Sequence, residues 1–330
     1  MNLYQQQASN RRTTWVVMSG FVLFLAFLGY GFDLFYLGAP YPVSGMVALL
    51  FGAAFVAHGY YKGDRAVLSS TGAVPMGQAL AGAATEEERF GLTQLQNVNE
   101  EMAIAAGIPR PRLYVIPDPD PNAFATGRGP GFASIAVTQG LLRIVNREEL
   151  QGVLAHEMSH IRNYDIRLMT VVAALVGAIT LLSDWVTRER RGSGSRWRRG
   201  SSDREDKGGG GLGLILLVIW ILAIVLAPMI AQLLAMMVSR QREYLADASG
   251  AELTRNPEAL AGALQKIEAA VAPTQSIKRG VAHLCVADPL ERKMGLREGF
   301  WADLLATHPP MTKRIAALRA MAYLPPAPAA

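Results

Sequence analysis

The sequence predicts a mainly α-helical protein with a small β-sheet, part of it set in a membrane. Three observations lead there. The chain is 51% hydrophobic and 18% charged, apolar for a soluble protein, and the apolar residues fall into four runs. Polar stretches between the runs carry helix start signals ahead of periodic apolar positions. Two short β-branched runs, 112–117 and 132–138, are bounded by Pro and Gly and read as strands.

The first run, Trp15 to Phe32, and the second, Val43 to Tyr61, are near-continuous although the second contains His58. Each approaches the roughly 20 apolar residues that a spanning helix needs. Residues 1–61 are therefore expected to form an N-terminal transmembrane hairpin. Arg11 and Arg12 precede the first run without a short apolar core and clean small-residue cleavage site, which predicts a retained anchor. The connector from Asp33 to Pro42 lacks Lys and Arg, whereas Lys62 and Arg65 follow the second run. The positive-inside tendency then puts the N-terminus and the region after residue 61 in the cytoplasm.

Residues 62–165 read as the first part of a polar domain. Thr85 with Glu88 opens a helix from Thr85 to Ala106, and the stretch 108–111, Ile-Pro-Arg-Pro, is expected to stop it. A Pro- and Asp-rich turn follows at 117–121, and a glycine-rich connector at 127–131 leads into the second strand. Residues 166–238 are expected to hold a second apolar hairpin. Its arms are a shorter run, Leu168 to Val186, and a longer one, Leu212 to Val238, joined by a basic loop at 187–211 with the composition of disorder. The second arm continues into 239–330, the second part of the polar domain. There Asn256-Pro257 restarts a helix, and a last helix begins after residues 307–310.

One string carries chemistry. His-Glu-Met-Ser-His at 156–160 lies in an amphipathic helix whose apolar face is Leu150, Val153, Leu154 and Met158. Asn146 with Glu149 supplies its N-cap and capping box. Histidines four apart share a helix face, so His156 and His160 can reach one metal ion. Glu157 points about a quarter-turn away, where a general base would hold a metal-bound water. A catalytic zinc usually takes a third protein ligand. Glu243, followed on the same helix face by Asp247, is one candidate, since a carboxylate at 247 could accept the spare N–H of a liganding imidazole. The local pattern does not choose Glu243 over Asp165 or Glu149, although Asp165 lies awkwardly close behind His160 for a third ligand on the same helix.

Five segments together carry a family resemblance: Pro121 to Thr126 (PNAFAT), Ala133 to Leu142 (ASIAVTQGLL), Glu148 to Ile161 around the histidines, Ser239 to Ala248 (SRQREYLADA), and residues 307–310 (THPP) with Arg314-Ile315. In this order, and over about 60 to 325, they resemble the HtpX-type membrane zinc endopeptidases, relatives of the CaaX prenyl proteases. The resemblance implies a gluzincin-like zinc peptidase domain joined to a helical membrane region of about four apolar helices. It implies one Zn2+ held by His156, His160 and Glu243, with Asp247 behind the ligands. It also implies that Asn122, beside an edge strand, helps hold an extended substrate, and that His308 and Arg314 sit near the zinc to steady the developing oxyanion. The expected function is zinc-dependent hydrolysis of peptide bonds in membrane or misfolded proteins, on the cytoplasmic face of a bacterial inner membrane. A CaaX-type processing enzyme and an inactive membrane scaffold are the alternatives. The first is disfavoured because those relatives carry more spans, the second because all the catalytic groups are present.

The remaining composition bounds the partners. Net charge is +5, with much of the excess beside apolar runs, which suits orientation and anionic lipid. No recognised nucleic-acid module appears, so nucleic acid is not an expected partner; polypeptides and the lipid bilayer are. The single cysteine, Cys285, allows no internal disulfide and suits a reducing compartment. One tension remains in the topology. His160 and Glu243 must meet on one side, so two full spans between them would place eight basic residues of loop 187–211 outside. A spanning or deeply embedded hairpin is expected, with the side of the loop left open.

Overall fold

A computed structural model describes residues 3–35, 37–39, 41–175, 240–270, 276–277, 284–287 and 309–322. The two N-terminal apolar runs form helices α1 (Leu3–Phe35) and α2 (Val43–Ser70). Among the described residues these are the two helices long and apolar enough to cross a membrane. Their apolar side chains are not packed away: Trp15, Leu23, Leu50 and Phe51 are all exposed, as a lipid-facing surface requires and a soluble core helix does not. The acid near the end of α1 has a specific use. Asp33 Oδ1 accepts the Ser44 N–H and Oδ2 the Gly45 N–H, each at 3.0 Å. These are first-turn donors of α2 that the helix itself leaves unsatisfied.

The chain divides into two compact units. One is Met1–Thr14, Gly59–Ala174 and Ala235–Ala330; the other is Trp15–His58 and Leu175–Leu234. The first fourteen residues, assigned by the sequence to the hairpin, thus group with the polar unit. The loop expected at 187–211, the arm expected at 212–238 and His308 lie outside the described residues. So does most of the arm at 168–186, apart from its start in helix α7 (165–175).

In the polar unit, β1 (Val74–Pro75), α3 (Met76–Ala81) and α4 (Glu86–Ala106) come first. Thr85 caps α4 by accepting the Glu88 N–H, as its sequence predicts. The stop differs from expectation. Gly107 takes a left-handed φ of 65° and returns its N–H to the last turn, so a glycine C-cap ends the helix before the prolines are reached. Strands β2 (Arg112–Ile116), β3 (Ala123–Thr126) and β4 (Ser134–Thr138) follow. The described strands form one sheet in the order β1-β2-β4-β3, with β2 parallel to β4 and the outer pairs antiparallel. The register pairs Ala123 with Val137 and Thr126 with Ser134. Beyond β4 come α5 (Gln139–Ile144) and α6 (Arg147–Arg162), the helix of the histidines. Its capping box is present in both directions between Asn146 and Glu149.

Helices α8 (Arg240–Thr254), α9 (Pro257–Ala269) and α10 (Met311–Ala322) complete the unit. The core packs α4, α6 and α9 around Leu95, Val98, Leu150, Val153, Leu154, Met158, Leu260 and Leu264. Each such side chain taken fully from water contributes about 1.5–3 kcal/mol. Two glycines set how closely the helices approach. A Cβ on Gly152 of α6 would meet the backbone of Leu260 at 2.9 Å, and one on Gly250 of α8 the backbone N of His156 at 3.0 Å. α6 is therefore pressed between α8 and α9 with main chain against main chain, which fixes the histidine face.

Candidate metal centre

α6 presents His156 and His160 one turn apart, with ring centroids 4.8 Å apart and planes nearly perpendicular. α8 brings Glu243 across from them. His160 Nε2 stands 3.5 Å from Glu243 Oε1 and His156 Nε2 stands 3.7 Å from Oε2. All three residues are buried, and one ligand atom from each lies within 4.8 Å of the others. The opposite ring nitrogens are backed by carboxylates. His156 Nδ1 is 3.0 Å from Asp247 Oδ1 and His160 Nδ1 is 3.1 Å from Asp165 Oδ2. The His160–Asp165 contact is a hydrogen bond, and because an ionised carboxylate only accepts, His160 Nδ1 carries a proton there; Asp247 faces His156 Nδ1 as an ion-pair contact.

The arrangement fits a divalent metal. Two imidazole lone pairs and a carboxylate converging in a buried site form a zinc donor set with room for a further ligand. Both ring nitrogens of His156 are buried without a hydrogen-bond partner among the described residues, positions normally costly to leave unsatisfied. The local field also asks for positive charge. Burial works against a charged His160, but the Asp165 hydrogen bond and the Glu243 charge outweigh it and push its pKa up to about 9. At His156 burial dominates and lowers the pKa.

Glu157 is buried beside the two rings. Burial, reinforced by the Glu243 charge, pushes its carboxyl up to about 7 against the opposing pull of His160 and of the Ala125 main chain. A carboxyl poised there both takes and returns protons near neutral pH.

A second layer fixes this centre. Arg314 of α10 is fully buried and grips Asp247 with two hydrogen bonds, Nε to Oδ2 at 2.8 Å and Nη2 to Oδ1 at 2.7 Å. Burial disfavours the charge on both partners, yet the pair overrides it: the Arg314 charge holds Asp247 at about 2, and Asp247 raises the Arg314 pKa. The resemblance implied that Arg314 sits near the zinc, steadying the developing oxyanion and binding substrate; its guanidinium meets Asp247, stands 3.5 Å from Glu243 and donates to Val286 O at 2.7 Å. Asn122, likewise expected at the substrate, donates from Nδ2 to Ala287 O at 2.8 Å.

Of the alternatives that the sequence left for a third ligand, Glu149 is committed to its capping box and to Lys266 at 2.7 Å. Asp165 has a different position. α6 ends at Arg162, Asn163 follows, and Tyr164 adopts a left-handed φ of 61°. That turn swings Asp165 back beneath His160. A left-handed tyrosine is uncommon and strained. Its ring is held by the Arg11 guanidinium at 4.2 Å and the Arg167 guanidinium at 5.0 Å. Asp165 is in turn fixed by the foot of α1. Asn10, itself buried, donates from Nδ2 to Asp165 Oδ1 at 2.6 Å and to Asn163 O at 2.9 Å. The Arg242 guanidinium lies 3.8 Å from the same carboxylate. Neither Asn10 nor the role of Asp165 was expected from the sequence. No local signal pointed to either, because the pairing joins residues 155 apart in the chain.

The family model for "Peptidase family M48" matches residues 92–322, the span that contains His156, Glu157, His160, Glu243, Asp247 and Arg314. The chain belongs to peptidase family M48. Curated relatives agree. It is 42% identical over 320 residues to a "Protease HtpX homolog" of Caldanaerobacter subterraneus subsp. tengcongensis, covering 97% of this chain and 98% of that one. It is 40% identical over 323 residues to a "Protease HtpX homolog" of Streptococcus gordonii, covering 97% and 100%. A crystal structure of S. mikatae Ste24p matches with a TM-score of 0.47 and 18% identity, over 96% of this chain and 66% of that chain. This M48 chain is a metallopeptidase, and its two exposed apolar helices fit a membrane-associated protein.

Proposed function

We propose that the chain is a zinc-dependent endopeptidase of the bacterial cytoplasmic membrane. It hydrolyses peptide bonds of membrane or misfolded proteins on the cytoplasmic side, with a gluzincin-like domain joined to about four apolar helices. The carrying observation is the convergence of His156, His160 and Glu243, with Glu157 buried within electrostatic reach of His160 and Glu243. One zinc ion held by those three side chains would supply a Lewis acid that acidifies water and polarises the substrate carbonyl. Asp165, hydrogen-bonded to His160 Nδ1, would hold that imidazole in the tautomer that presents Nε2 to a metal, and Asp247 faces His156 Nδ1 to do the same for the other ring. Glu157 takes the proton of the attacking water and delivers it to the leaving amine, which its pKa near neutral allows. His308 is assigned to the developing oxyanion from the family resemblance. The distribution of Lys and Arg around the first two apolar runs supports the cytoplasmic orientation.

Glu157→Gln keeps the shape of the side chain and removes its basicity. Purified in detergent, that variant is expected to retain zinc at the wild-type level and to lose casein cleavage. Full cleavage by the variant would remove Glu157 from the mechanism, and absence of bound zinc in the wild type would remove the metal.

A further inference from the structure

β3 is the outer strand of the described sheet. Asn122 O accepts the Thr138 N–H at 3.0 Å, so by antiparallel alternation the main-chain groups of 122, 124 and 126 face β4 and those of 123 and 125 face outward. β3 packs on α6 and the Ala125 main chain lies close enough to Glu157 to lower its pKa, so this outward edge runs beside the proposed general base. An extended peptide laid along it would lie at the metal centre.

That edge is already paired. Ala123 O accepts the Val286 N–H at 2.9 Å, and Phe124 and Cys285 form an antiparallel bridge. The Asn122 amide closes on Ala287 from both sides, donating to its carbonyl at 2.8 Å and accepting its N–H at 3.4 Å. The Arg314 guanidinium donates to Val286 O at 2.7 Å. Every one of these bonds addresses main chain, so the site reads an extended backbone whatever its side chains. The side chains it holds are apolar: Leu284, Cys285 and Val286 are buried, two of them in the cluster that contains Phe124.

We propose that Leu284–Ala287 is a strand supplied by the chain itself to the groove that holds an extended peptide substrate, and that substrate enters by exchanging with it. This rests on the peptidase reading above. The resting enzyme is then self-blocked. The competing partner is an extended, apolar stretch of unfolded polypeptide, since only such a strand replaces both the main-chain bonds and the buried side chains. Short polar peptides replace only the first and compete poorly against an occupant tethered to the site.

The single cysteine of the chain reports the exchange directly, because Cys285 is at the centre of the paired segment and buried. Full-length Glu157→Gln protein in detergent is mixed with a fluorescent, extended, Leu- and Val-rich peptide. Binding is followed by anisotropy and Cys285 alkylation by maleimide on the same sample. Peptide binding is expected to speed alkylation several-fold, whereas a polar peptide of equal length leaves the rate unchanged. Val286→Pro, which deletes the N–H that reaches Ala123, is expected to tighten peptide binding while zinc content holds. Peptide bound with Cys285 as protected as before overturns the exchange. So does folded Val286→Pro protein that binds peptide no better than its parent, including the case in which neither binds. The peptidase reading fails separately, through absent zinc or absent casein cleavage in the wild type.

Discussion

At His160 the supporting carboxylate comes from the first residue of α7, just past the left-handed turn, and at His156 from a neighbouring helix. This difference predicts different costs. Asp165→Asn keeps the shape but turns an obligate acceptor into a group that can also donate, and the His160 tautomer loses its enforcement. Zinc affinity by chelator competition is expected to fall about 10–100-fold, the usual size for the residue behind a liganding histidine. Asn10→Ala is expected to weaken zinc in the same direction by a smaller factor, because Asp165 keeps Arg242 nearby. Unchanged affinity in both variants would show that neither orients the ring. Asp247→Ala has a larger structural effect. It strands the fully buried Arg314 charge, and breaking a buried pair from one side costs about 3–5 kcal/mol. Thermal melting should show that loss even with zinc in excess.

At the scale of elements, α6 is sandwiched main chain to main chain, and Gly152→Ala tests it. The added methyl meets the Leu260 backbone at 2.9 Å, where no flexible side-chain end can yield. Overpacking of about 1–3 kcal/mol is expected in denaturant unfolding. A neutral result would mean that α9 shifts freely. The legibility of each element follows from where its determinants lie. α6 was readable because its cap, capping box and apolar face are all local, and the 156–160 spacing came with it. β3 was not readable as a strand on its own residues: all four are buried, so no alternation marks them, and its pairing is decided by β4. The left-handed Tyr164 gave no warning either: of the two guanidinium groups on its ring, Arg167 is local but Arg11 comes from the start of the chain. Glu243 was one of three candidates locally. The helix crossing that selects it depends on Gly250 meeting the backbone of His156, which no local pattern contains.

For the whole molecule, zinc is expected to act as a structural cross-link as well as a cofactor. Its ligands sit on α6 and α8, and without positive charge the site holds Glu157 and Glu243 close enough to raise each other's cost. A ligand at a thousandfold its Kd adds about 4 kcal/mol to stability. Chelation should therefore lower the melting temperature and abolish casein cleavage together, both restored by zinc; loss of cleavage with unchanged melting would confine the ion to chemistry.

Asn10 belongs to the opening helix, yet it braces a carboxylate on the far side of the histidine motif. A soluble protease domain therefore cannot be excised by discarding everything before residue 59. Such a truncation would remove a buried support from Asp165 and leave the centre loosened even where the rest of the domain folds. Anyone trimming this enzyme for crystallisation should keep its first fourteen residues, grafted back if need be, and remove only what lies between.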